Sequence, residues 1–174
     1  MPDERCAECG FEYQSVQAGD AVVALRSFPK RYRAPLTRLL PGEDVSLLRT
    51  RPEPTVWSAL EYAAHVRDVF GAYGERIQQT LVEERPVFEA MAPDELAAER
   101  RYNEQDPEVV AGELAANAEA LALILEEVPD DGWDRVGIAR GGERTVLYTA
   151  QRAVHEGHHH LLDIGRVMRT ARGR

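Results

Sequence analysis

Apolar residues recur at intervals of three and four along four separate stretches of this 174-residue chain, and no comparable stretch alternates at every second position. That periodicity selects helices over strands. The first stretch begins near Asp20 with AVVALRSF, where Asp20 is a plausible N-cap and Pro29 and Pro35 are expected to kink the helix or split it in two. The second carries Tyr62, Val66, Val69, Tyr73 and Ile77; it is expected to start near Thr55, with Ser58 and Glu61 as an alternative capping box, and to end near Glu83. The third opens on Asp106-Pro107, a cap followed by proline at the first helical position, and runs to about Val128. The last is capped by Thr145 and runs to about Arg169.

Four such segments imply an all-α four-helix bundle. The stretch 84–105 is expected to be irregular, with one short turn at APDELAAER, and to serve as a single long crossover; GIARGGE (137–143) reads as a turn or a small hairpin. Residues 1–17 form an N-terminal CxxC arm with Phe11 and Tyr13 as anchors, and 18–174 the bundle domain. The length suits one domain with its own core.

A net charge of −9 argues against a nucleic-acid surface, which needs an excess of basic residues. No apolar run is long enough to span a bilayer and the N-terminal residues lack the apolar core of a signal peptide, so no membrane partner and a cytoplasmic protein are expected.

The chemistry is concentrated in histidine. Of five histidines, four fall in VHEGHHHLLDI as His155, His158, His159 and His160, and the fifth is His65 in EYAAHVRDV. His155 and His159, four residues apart, can reach one cation from one helix face. If the second and fourth helices ran parallel from caps at Thr55 and Thr145, His65 would lie at the depth of His155, so His65, His155 and His159 are the expected metal ligands. Three nitrogens would leave open positions for water or substrate. A first-row divalent ion is expected, zinc first, with nickel, iron or manganese as alternatives. The stripe Leu147, Ala150, Val154, Leu161, Gly165 and Met168 places His158 near its middle and His160 toward solvent, beside Glu156. Asp68 and Asp163, each one turn beyond a ligand, are candidates to orient the imidazoles.

Cys6-Ala-Glu-Cys9-Gly has the spacing of half a zinc knuckle and is a possible second metal site, with two more ligands from His158, His160 or a second copy of the chain. A redox dithiol and a pair of free thiols are the other readings.

EYAAHVRDVF on one helix and HEGHHHLLDI on the last resemble the DinB-like superfamily over roughly residues 18–170, with the CxxC arm as the feature of a subgroup. The resemblance implies a four-helix bundle, a metal site at His65, His155 and His159, and kinship with mycothiol-dependent maleylpyruvate isomerases and bacillithiol or mycothiol S-transferases. It therefore implies a metal-dependent thiol S-transferase or isomerase acting on a small electrophile, with mycothiol as co-substrate and a homodimer as the assembly. A metal-dependent hydrolase and a non-enzymatic metal-binding or stress-response protein are the competing readings.

Overall fold

The computed structural model describes residues 5–140 and 142–173. The first four residues of the arm, Gly141 of the expected hairpin and the last residue, 174, lie outside them. Among the described residues six α-helices follow in order: α1 (Ala18–Thr37), α2 (Ser46–Arg49), α3 (Ala59–Val82), α4 (Pro93–Glu99), α5 (Pro107–Glu126) and α6 (Val146–Ala171). The four long ones build the bundle. Helix α5 packs against α1 and α3, and α6 packs against the same two from the other side. None of these helices is long and apolar enough to cross a membrane.

Local chemistry fixes most of the helix ends. Asp106 accepts the Glu108 amide at 2.8 Å and Thr145 Oγ1 accepts the Tyr148 amide at 3.0 Å, each satisfying a donor that has no partner inside its helix. Helix α3 starts three residues later than Thr55 would place it. Ser58 caps it in a reciprocal box: Ser58 Oγ accepts the Glu61 amide at 3.2 Å, and the Glu61 carboxylate accepts the Ser58 amide at 2.8 Å. Arg51 donates to both Glu61 oxygens, which stabilises this box over the unsupported threonine. At α1 the cap is Gln17, and Asp20 sits in the first turn accepting the Gln17 amide.

Two expectations need correction. Pro29 and Pro35 do not split the first helix in two: both lie inside one continuous α1. The buried stripe Leu25, Phe28, Tyr32 and Leu36 continues past both prolines, and that burial offsets the missing backbone bonds. The chain also contains a small sheet. Strands β2 (Val136–Ala139) and β3 (Gly142–Thr145) form an antiparallel hairpin, and β1 (Val87–Phe88), in the crossover expected to be irregular, pairs parallel with β2. Two residues are too few to show any periodicity, so β1 left no trace in the sequence.

Helices α3 and α6 run antiparallel. Tyr62, early in α3, stacks on His160, whereas Tyr73, a third of the way from its end, shares a cavity wall with Tyr148 and Arg152, early in α6. The depth argument that paired His65 with His155 assumed parallel helices, and so does not hold.

Candidate metal centres

On α6, successive residues turn by about 100°. VHEGHHH therefore carries two overlapping pairs at four-residue spacing, His155/His159 and Glu156/His160, on neighbouring faces. Helix α3 meets the second pair. The donor atoms of His65, Glu156 and His160 lie within 4.8 Å of one another, and those of Cys6, Cys9, His155 and His159 form a separate set within the same limit. The structure thus divides the expected trio: His65 joins Glu156 and His160, while His155 and His159 join the cysteines of the arm.

In the first set, both Nε2 of His65 and Nε2 of His160 approach the same oxygen of Glu156, at 3.5 and 3.2 Å. Trp57 lies edge-on to His65, Tyr62 stacks on His160, and the two imidazoles meet edge to face at 5.0 Å. Burial would raise the Glu156 carboxyl, but His155, His160, His65 and Arg152 outweigh it and hold the group well below the usual range. Burial would likewise lower His160, yet Asp163 and Glu156 push it up to about 9. His65 Nδ1 is buried without a partner. Two imidazoles and a carboxylate converging on one point fit a divalent cation. His160 is half-buried against α3 rather than solvent-facing.

The second set comes from the arm folding over the outer face of α6. Cys6 Sγ lies 3.6 Å from His159 Nδ1, and both ring nitrogens of His155 are buried without hydrogen-bond partners. Burial pushes the Cys6 thiol up, but the Cys9 amide, the His155 ring and the Glu8 amide bring it down to about 6. The Cys9 thiol is raised by burial and by Cys6. His158 belongs to neither set; it faces Phe11.

The orienting carboxylates also separate. Asp163 Oδ2 is 3.4 Å from His159 Nε2 and 3.0 Å from His160 Nδ1, touching one imidazole of each set. Asp68 is instead engaged by Arg67, Arg100 and the Tyr102 hydroxyl.

His65, Glu156 and His160 open onto a cavity of about 360 Å³ walled by Trp57, Tyr62, Val69, Tyr73, Arg140 and Arg152, among others. It shares Tyr73, Met91, Arg140 and Arg152 with a second cavity of about 310 Å³, which adds Arg76 and Arg144. Arg152 donates to Glu156 at 2.5 Å and to the Tyr13 hydroxyl at 3.0 Å, tying the arm to the first set. Sequence reasoning missed Glu156, Arg140 and Arg152. The four-residue spacing of Glu156 and His160 was visible, but on this helix only histidines were read as donors.

No curated protein sequence matches the chain. Among solved structures, YfiT from Bacillus subtilis, described as a probable metal-dependent hydrolase with an unusual four-helix bundle topology, superposes with a TM-score of 0.78 at 18% identity, covering 88% of this chain and 87% of that one. At that identity the likeness establishes the fold. The model of the DinB superfamily matches residues 25–164, and with four-fifths of its length so matched the chain belongs to the DinB superfamily.

Proposed function

We propose that the chain is a metal-dependent enzyme whose His65–Glu156–His160 centre hydrolyses a small anionic substrate. The observation that carries this reading is the position of the donor set: two nitrogens and a carboxylate at the wall of a cavity that arginines line. Two histidines and a glutamate are a donor set of hydrolytic zinc centres, and such sites keep a position open. The description of YfiT as a probable metal-dependent hydrolase points the same way. A divalent cation there would supply Lewis acidity, making water a nucleophile near neutral pH and polarising the oxygen it attacks.

The chain's own residues do the rest. Across the two cavities Arg76, Arg140, Arg144 and Arg152 outnumber the carboxylates of Glu89, Asp94 and Glu156, a positive balance in a protein of net charge −9 that favours anions. Arg152 also holds Glu156 in place. Burial raises the Tyr73 hydroxyl, which stays protonated and able to donate to a bound substrate. Trp57 and Tyr62 wall the imidazoles from bulk water.

The expected result is turnover of small carboxylate- or phosphate-bearing esters or amides by zinc-loaded protein without added thiol, lost in Glu156→Gln and with a raised KM in Arg140→Ala. Zinc-loaded protein that binds metal at His65 and His160 yet turns over no member of such a panel would overturn it. A second reading, the thiol S-transferase, is favoured by one feature: the two joined cavities have room for a thiol and an electrophile side by side. It requires that turnover appear only when mycothiol or a related thiol is supplied.

A further inference from the structure

We propose that Cys6, Cys9, His155 and His159 hold a structural zinc ion that clamps the N-terminal arm onto α6. This inference does not rest on the cavity centre. It starts from the arm, which is shaped as a knuckle. Arg5 and Glu12 pair as an antiparallel bridge, the Cys6 amide donates to the Phe11 carbonyl at 2.8 Å, and the Gly10 amide donates to the Cys6 carbonyl at 2.9 Å. Gly10 has φ +73°, the left-handed conformation that glycine adopts without strain, and it lets the chain reverse directly after the second cysteine. The reversal aims the amides of Glu8 and Cys9 at the Cys6 sulfur.

The helix supplies the other half. His155 and His159 lie one turn apart on the face that the arm covers, within 4.8 Å of both sulfurs. His159 turns Nδ1 toward Cys6, while its Nε2 lies 3.4 Å from Asp163 and 3.4 Å from Glu8, the carboxylate-backed arrangement that fixes a metal-binding imidazole. The independent sign is His155. The residue is 7% exposed, with its ring packed between Phe11 and Tyr13; Glu156 Oε1 lies 3.7 Å from Nδ1, and neither nitrogen has a partner at hydrogen-bond distance. A folded protein rarely buries two polar atoms unpaired, and a cation satisfies one of them directly.

Four donors of the type S₂N₂ favour tetrahedral zinc and leave no position for a substrate. Neither cavity is lined by Cys6, Cys9, His155 or His159, in keeping with a closed structural centre. The clamp has a consequence inside the bundle. It seats Tyr13, whose hydroxyl accepts from Arg152, which in turn donates to Glu156. Asp163 makes a second link, since it touches His159 and His160 together.

The test uses the full chain. Elemental analysis of protein purified with zinc is expected to give two metals per chain; Cys6→Ser with Cys9→Ser removes one and leaves the other, and His160→Ala does the reverse. Cobalt-substituted wild type is expected to show intense thiolate-to-cobalt charge-transfer absorption, absent in the cysteine double variant and retained in His160→Ala and His158→Ala. Because a variant can fail to fold, alkylation is followed on wild type alone: both thiols are expected to react slowly with metal bound and rapidly after chelation. A cobalt protein without the thiolate band, thiols that alkylate equally fast with and without metal, or a Cys6–Cys9 disulfide in protein saturated with zinc under reducing conditions would each overturn the proposal.

Discussion

Gly157 sits between Glu156 and His158, and what it touches sets how α6 is rotated. A Cβ built at this position would lie 2.5 Å from Phe28 Cε2, 2.7 Å from Cζ and 2.9 Å from Cδ2, all in a ring only 1% exposed. The Tyr32 hydroxyl, fully buried, donates to the Gly157 carbonyl at 2.8 Å. Helices α1 and α6 are therefore in close contact here. In Gly157→Ala the phenyl ring must leave its rotamer or the helices must part. Overpacking of this kind costs about 1–3 kcal/mol. If the helices part, the Tyr32 bond lengthens and adds a further ~1 kcal/mol. Alanine recovers about 1 kcal/mol of helix propensity. With the helices parted the net loss is about 1–3 kcal/mol, which for a chain of this size lowers Tm by roughly 2–12 °C. Thermal unfolding by circular dichroism checks it. In Phe28→Leu the offending ring is gone, so adding Gly157→Ala to that background is expected to cost less than in wild type, a coupling read from the double-mutant cycle. A Gly157→Ala protein as stable as wild type, or one whose cost is unchanged by Phe28→Leu, would refute the close-contact argument.

Trp57 packs against His65 at 5.2 Å between ring centroids, so a quenching cation such as Ni²⁺ bound at the cavity centre is expected to reduce tryptophan fluorescence, an effect lost in Trp57→Phe and in His65→Ala; quenching that survives in Trp57→Phe would place the ion elsewhere. Stability in acid should depend on Glu61. Its burial would raise the carboxyl, but Arg51 and Ser58 hold it below the ordinary value of 4.5, so the folded pKa lies under the unfolded one. The contribution is then present above about 4.5 and lost as the pH falls through the folded value. The Tm difference between wild type and Glu61→Gln is expected to be largest near neutrality and to shrink in acid, and a difference that grows in acid would reverse the sign of the argument.

The caps at Asp106, Thr145 and the Ser58–Glu61 box were readable because each needs only a side chain and an amide two or three residues away. The histidine spacing was readable for the same reason. What the sequence could not supply was the rotation of α6, because hydropathy weighs large residues and this helix packs with small ones. Its buried line runs through Val146, Ala150, Ala153, Val154, Gly157, Ile164, Val167 and Met168, whereas Leu161 and Gly165, read as part of the stripe, are half-buried. Counting Leu161 inward and overlooking Ala153 and Gly157 turned the apolar face by a few tens of degrees. That error was enough to put His158 near the core and His160 in solvent.

Only the structure separates the two glycines of α6: Gly165 has open space where a Cβ would lie, whereas Gly157 meets Phe28, a close approach that accounts for the roughly 1 kcal/mol a helix-interior glycine costs against alanine. With α1 against Gly157, Glu156 lies about 100° to one side and His160 about 60° to the same side, toward α3 and His65. His155 and His159 then lie about 160° away, on the outer face, where bundle packing alone would leave them in water. His155 is buried and His159 half-buried because the arm lies over them. Placing one helix contact thus separates the two donor pairs, assigns one to the cavity, and explains why a chain with the other pair on its outer face carries two cysteines ahead of its first helix.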